Sequence, residues 1–263
     1  MNDKNIFTFW EPQDKLHPYI NLCIKTWEKN LPDYKIIILN YLNMFDYVSK
    51  DIYDFSLLTK LRFMLQKDAL QAAVLYKFGG IFMDADTIIL KDITPIVDEM
   101  RYNELLTFSK QLAFMISKPH TPVLGLWMKD IQKRIKSLEG KENINKTKWN
   151  FLGNIILNRL IDESSNKKIK ILDKRKYGFM PEFMNENQNN TMEDNVKQYV
   201  NFWFGKDTDM KDVFFKNQRI IALHNSWTPE WYKRLSEKEV LENDCLLSRT
   251  LKYILNDSNQ SFS

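Results

Sequence analysis

The sequence is poor in the residues that punctuate loops and repeats: 7 glycines and 8 prolines in 263 residues. That scarcity excludes collagen-like and low-complexity architectures, and no segment recurs at a fixed period. Its 2 cysteines, Cys23 and Cys245, lie far apart; they could form one disulfide, but two free thiols in a reducing compartment are expected. No apolar run approaches the length of about 18 residues that a membrane-spanning helix needs. The opening "MNDKNIFTFWEP" holds no apolar core of signal-peptide length. A cytoplasmic protein is expected, whose contact with a membrane, if it makes one, is peripheral and at the inner face. The net charge of +4 comes without any long basic run. That pattern leaves nucleic acid without a footprint and suits a smaller anionic partner, a nucleotide phosphate or an acidic lipid surface.

What is present supports a packed α/β chain. Apolar residues make up 44% and aromatics 13%, enough for a sizeable core. "NIFTFW" (5–10) predicts a strand, "HPYINLCIKTWEKN" an amphipathic helix and "YKIIILN" (34–40) an apolar buried strand, together a βαβ unit. Residues 56–78 predict one helix with a stripe of Leu61, Leu65, Ala69, Ala72, Ala73 and Tyr76, ended by Gly79. "IFMD" reads as a strand, and "TIILKDI" as its continuation or a new one. "ELLTFS" and "AFMISKP" predict a strand pair; 121–140 and 147–164 predict amphipathic helices; "KIKILDKRKYGFMP" reads as strand and loop. Residues 185–195 read as an exposed polar loop, and "RIIALHNSWTPEWY" as a strand entering an aromatic turn. The C-terminal segment predicts helices burying Leu241, Leu246, Leu247, Leu251, Ile254 and Leu255. No Gly/Ser linker divides the chain. A single domain over 1–263 is expected, with a nucleotide-binding half to about residue 118 and an acceptor-side and closing half beyond it.

Asp84 and Asp86 flank Ala85 inside an apolar stretch. Residues two apart on a strand share a side, and the carboxyl end of a parallel strand opens on the ligand crevice of an α/β sheet. Two carboxylates there repel one another unless a divalent cation joins them; hard oxygens suit Mg²⁺ or Mn²⁺. Alone, the pair reads equally as turn residues with polar tips in water.

The wider stretch "KDALQAAVLYKFGGIFMDAD" is more specific. Its helical Asp68, Gly79-Gly80, aromatic strand and Asp-x-Asp resemble the nucleotide-sugar glycosyltransferases of the GT-A fold. The likeness is to glycosyltransferase family 32 and the capsular polysaccharide synthesis group, and more distantly to the glucosyltransferase domains of large clostridial toxins. The resemblance implies a GT-A, Rossmann-like mixed sheet flanked by helices with a C-terminal helical extension. It implies a retaining, metal-dependent transfer of a hexose from a nucleotide sugar, a UDP-sugar above all, to a growing glycan. That glycan would be lipid-linked, as in capsule or lipopolysaccharide assembly. In that scheme Asp86 binds the cation directly, and Asp84 contacts the ribose, or the metal through water. The cation stabilises the leaving diphosphate. Trp10, ending "IFTFW", stacks on uracil. Asp68 and Gln71 face the donor sugar, with Gly80 and Ala85 in the same site. "HNSW" supplies His224 and Asn225 as metal or phosphate contacts, and Ser226 and Trp227 as closing groups. One departure stands out. The family carries an arginine three residues after the helical aspartate, where this chain has Gln71, which cannot balance phosphate charge. A nearby Lys or Arg takes its place, or sugar choice and rate differ; Arg62 and Lys67 lie on the same predicted helix.

Plainer readings exist for each residue. Trp10 suits a core position, Asp68 a salt bridge to Lys67 or Lys60, and His224 a structural hydrogen bond. Gly79-Gly80 suits a helix cap and turn, and 172–179 a solvated basic face. Two rival functions share features. A haloacid-dehalogenase-type phosphatase also has a strand followed by Asp-x-Asp, with Thr or Val two residues after the second Asp; here Ile88 stands there. "GKDTDMKD" (205–212) can mimic its acidic site, but Gly79-Gly80 and "HNSW" go unused. A sugar-binding module of the same fold that lost catalysis would account for Gln71.

Overall fold

The computed structural model describes residues 4–108, 111–177, 191–205, 208–214 and 218–256, leaving aside the side chains of 175 and 176. The expectations for 185–190, 178–179, 206–207 and 257–263 lie outside the described residues. The strands are β1 Asn5–Phe9, β2 Lys35–Leu39, β3 Gly80–Met83, β4 Thr87–Ile89, β5 Leu105–Phe108, β6 Phe114–Ser117, β7 Ile169–Leu172 and β8 Ile220–Ala222. The chain divides into two compact units, one of residues 1–15, 33–84 and 95–172, the other of residues 16–32, 85–94 and 173–263.

The first unit holds a six-stranded sheet in the order β2-β1-β3-β6-β5-β7. β1 pairs in parallel with β2 and β3, β6 runs antiparallel to β3 and β5, and β7 runs parallel to β5. This mixed sheet with helices is the architecture expected of the GT-A class. Its inner strands are mostly apolar, as strands covered on both faces are; β3, β5 and β6 have no exposed residue. Three helices complete the unit's core: Phe63–Phe78, Pro122–Lys136 and Asn154–Asp162.

Two helices are shorter than expected. Residues 56–78 do not form one helix: a single turn, Phe55–Leu58, is capped by the Asp54 carboxylate, and the long helix starts anew at Phe63. The 147–164 helix begins only at Asn154, after Gly153 with a non-helical backbone. The long helix is also not amphipathic. From Leu65 to Leu75 every residue is buried, Gln66, Lys67, Asp68 and Gln71 included, while Tyr76 of the expected stripe is only half-buried.

In the second unit β4 and β8 pair antiparallel, so "TIILKDI" starts a new strand in a new sheet. The Pro18–Asn30 helix, between β1 and β2 in sequence, packs on this pair. Trp27 Nε1 donates to the Thr87 carbonyl at 2.7 Å, and Asn30 Nδ2 to that of Ile89 at 2.9 Å. The expected polar loop gives way at Thr191, which caps a helix over Met192–Phe204 through a reciprocal hydrogen-bond box with Asp194. The C-terminal helices bury Leu246, Leu247, Leu251 and Ile254, with Leu241 and Leu255 half-buried. Cys23 and Cys245 are both free and buried.

Candidate active site

Buried polar side chains need partners, and the long helix of the first unit shows which. Lys67 Nζ lies 3.0 Å from Asp84 Oδ1 and 3.2 Å from Asp68 Oδ1. Lys67 is 8% exposed and Asp68 3%. Burial works against the lysine's charge, but the two carboxylates outweigh it and hold Lys67 above its ordinary pKa. Burial pushes Asp68 up to about 6, with Lys67 opposing the rise and Asp84 adding to it. Gly153 makes room for this carboxylate: a Cβ there would run into Asp68. Gln71 is fully buried; its Nε2 donates to the Leu112 carbonyl at 2.9 Å and meets Met115 Sδ at 3.0 Å. Its Oε1 is buried with no hydrogen-bond partner among the described residues.

Gly79 and Gly80 turn this helix into β3 with φ of +65° and +92°. A Cβ on Gly80 would stand 2.7 Å from the Asn5 carbonyl oxygen, so close pairing of β3 with β1 requires glycine there. β3 then delivers Asp84, whose N–H donates to the Ala113 carbonyl at 2.9 Å and whose side chain is 31% exposed. Trp10 follows β1, half-buried, its ring edge-on to Phe63 with centroids 5.7 Å apart. A cavity of about 620 Å³ is lined by residues 11–14 and 40–42. These segments follow the carboxyl ends of the parallel strands β1 and β2, where α/β sheets place ligands.

The chain passes from the first unit to the second between Asp84 and Ala85. In the second unit the half-buried Asp86 accepts the Asn225 N–H on Oδ2 at 2.7 Å, and its carbonyl accepts the Leu223 N–H. Residues 224–228 follow β8, which the β4 pairing sets beside Asp86. The segment is held by aromatic and hydroxyl contacts. His224 stacks on Trp227 at 4.0 Å, and both rings meet Tyr199 edge-on. Tyr19 Oη donates to Asn225 Oδ1 at 2.6 Å, and Tyr199 Oη lies 3.1 Å from Thr228 Oγ1. Burial, then the nearby Asp86, raises the pKa of Tyr19; burial dominates the rise at Tyr199. Both phenols are therefore neutral; Tyr19 donates to Asn225, and Tyr199 accepts the His224 N–H. Ser226 is exposed.

Asp68 and Asp84 thus share Lys67, and Asp86 and Asn225 are joined by their own hydrogen bond. Sequence patterns missed Tyr19 and Tyr199. Tyr19 sits on an amphipathic helix that reads as core, Tyr199 lies in a stretch to which no motif draws attention, and Tyr19 lies 206 residues from its Asn225 partner, so no local signal marks the pair. Among the described residues no three His, Cys, Asp or Glu side chains gather as a metal cluster. The donor chemistry nevertheless fits Mg²⁺ or Mn²⁺. Such cations are held by one or two carboxylates and complete their shells with water and substrate phosphates. Asp86 would be the protein ligand, with Asn225 sharing an oxygen that already accepts from Tyr19.

Residues 18–107 match the family described as "Glycosyltransferase sugar-binding region containing DXD motif". No curated protein matches the chain. Several solved structures resemble it. GlyE, a glycosyltransferase in Streptococcus pneumoniae TIGR4, is 12% identical with a TM-score of 0.49, over 97% of this chain and 61% of that one. The galactosyltransferase LgtC, solved with donor and acceptor sugar analogs, is 11% identical with a TM-score of 0.45, over 98% of each chain. PaToxG glycosyltransferase is 18% identical with a TM-score of 0.41, over 60% of this chain and 67% of that one. The matched segment contains Lys67, Asp68, Gln71 and the Asp84-Ala85-Asp86 motif, so over 18–107 the chain is similar to the DXD-containing glycosyltransferases.

Proposed function

We propose that the protein is a metal-dependent, retaining hexosyltransferase that takes a nucleotide sugar, a UDP-sugar above all, and extends a glycan acceptor of a bacterial surface polysaccharide. The observation that carries this is the hydrogen bond between Asp86 and the backbone of Asn225, which ties the second motif carboxylate to the polar, aromatic segment after β8. A lone turn aspartate needs no such partner. The family 32 resemblance supports the same reading, as does the cavity beyond β1 and β2, whose size suits a nucleoside.

When bound, Mn²⁺ or Mg²⁺ supplies Lewis-acid stabilisation of the leaving diphosphate. The chain's own residues do the rest. Asp86 is the direct ligand, oriented by the Asn225 N–H. Trp10 stacks on the base, its ring braced by Phe63. Asp84 accepts from the ribose. Asp68 accepts from sugar hydroxyls, its charge held by the Lys67 ammonium at 3.2 Å. Ser226 and Trp227 shield the diphosphate from water, which protects the donor from hydrolysis. With retention, the acceptor hydroxyl attacks the face from which the diphosphate departs. The departing phosphate oxygen takes its proton, so no protein base is needed.

Isothermal titration of UDP with and without Mn²⁺, on the wild type and Asp86→Ala, tests this. Binding that requires both Mn²⁺ and Asp86 is expected, followed by slow hydrolysis of one UDP-sugar in a screen. Absence of UDP binding under every metal condition would sink the proposal. Tight binding with no turnover of any sugar would instead favour a binding module, the reading to which the neutral Gln71 points.

A further inference from the structure

We propose that Lys67 is the resident counter-charge of the donor site. Its ammonium neutralises Asp84, so that the motif discriminates a metal-bound nucleoside diphosphate from a bare cation. This rests on the nucleotide-sugar reading above.

The two motif aspartates are held by different kinds of partner. Asp86 accepts a neutral backbone N–H, whereas Asp84 faces a full positive charge at 3.0 Å. That charge is costly to keep. A lysine 8% exposed on an apolar helix has lost most of its hydration, and buried ion pairs contribute little net stability compared with well-packed apolar groups. Two carboxylates hold it there, and they differ: the Asp68 side chain is 5% exposed and that of Asp84 31%. The lysine is therefore anchored on its buried side by Asp68 and presents its charge toward solvent through Asp84. No other cation on this helix competes for the role. Gln71, one turn further along, is neutral and buried; Arg62, at the helix start, spends its guanidinium on the Thr147 carbonyl; Lys77 reaches the Tyr47 carbonyl at the far end. Lys67 thus supplies the positive charge that Gln71 cannot.

The sign of the consequence separates this role from a merely structural one. Removing a positive charge beside Asp84 makes the motif more negative. A bare divalent cation then binds better and a diphosphate worse. Loss of packing would weaken both.

The test is calorimetric titration of the full chain with Mn²⁺ alone, then with UDP at saturating Mn²⁺, for the wild type, Lys67→Met and Lys67→Arg. In Lys67→Met, Mn²⁺ is expected to bind several-fold tighter and UDP on the order of tenfold weaker; Lys67→Arg is expected to stay near the wild type in both. Weakening of both ligands, or movement of neither, in a variant that still melts cooperatively would overturn the proposal. If Lys67→Met fails to fold, the double variant Lys67→Met/Asp68→Asn removes the buried pair together. It still strips Asp84 of its partner, so the same opposite-signed shifts are expected. A wild type that binds Mn²⁺ but not UDP overturns the nucleotide-sugar reading, and the Mn²⁺ arm alone then upholds or overturns the neutralisation of Asp84. A wild type that binds neither overturns both.

Discussion

At the scale of single residues, the buried hydroxyls and carboxylates make the sharpest predictions. Tyr19→Phe removes the donor to Asn225 Oδ1 without changing the ring's packing. Unfolding by urea is expected to show a loss of about 1 kcal/mol, the usual net worth of such a bond. UDP affinity in Mn²⁺ is expected to fall several-fold, because the Asn225 amide loses its orientation. An unchanged affinity with the stability loss present would separate Asn225 from the donor. Asp68 predicts a pH dependence. Its folded pKa, about 6, lies above its ordinary 3.8. The native state therefore holds the proton more tightly than the unfolded chain. The stability this contributes is complete below pH 4 and is lost as pH rises through 6. Relative to Asp68→Asn, the wild type is expected to lose up to about 3 kcal/mol across that window. Melting both proteins at pH 4, 5 and 6.5 checks it, and parallel curves would contradict it.

At the scale of elements, the turn into β3 is the most constrained. Gly80→Ala places a Cβ against the Asn5 carbonyl at φ +92°. We expect it to cost about 2–4 kcal/mol, from backbone strain and lost β1–β3 pairing, read as a lower denaturation midpoint. Thr191→Ala is expected to cost only about 1 kcal/mol, since it removes one cap from the Met192–Phe204 helix. The elements also show where sequence patterns succeed. β1, β2, β5 and β6 were legible because β-branched and aromatic runs bounded by polar residues have few other solutions. The 56–78 helix was overextended because Leu57, Leu58 and Leu61 are apolar and in phase. Only the Asp54 cap and the non-helical stretch before Phe63 separate the turn from the helix. The 191–195 loop was misread because a Thr/Asp capping box in an Asn-rich stretch looks like turn chemistry.

At the scale of the molecule, the chain crosses between its two units repeatedly, and one crossing falls inside the Asp84-Ala85-Asp86 motif. Each carboxylate therefore takes its environment from a different unit's core. Both cysteines are buried in the second unit, and burial raises the Cys23 thiol well above its ordinary pKa. Native protein is expected to react negligibly with a thiol reagent and unfolded protein to react at two sites. Rapid native labelling would contradict this packing.

The sequence by itself determined the opening strand-helix-strand order, the glycine turn that aims β3, and the pair of carboxylates that follows it. These follow from local periodicity, glycine's freedom and the cost of placing charge in an apolar run. Set beside the glycosyltransferase resemblance, it also showed Gln71 where that family carries an arginine. Only the tertiary structure decided the place of Lys67, which reads as an ordinary helix lysine until burial forces its charge onto Asp68 and Asp84. Likewise, the link from Asp86 to Asn225, with Tyr19 behind it, joins residues more than a hundred positions apart. Side-chain hydrogen bonds across that separation are set by which helix packs on which strand, and no local pattern encodes them.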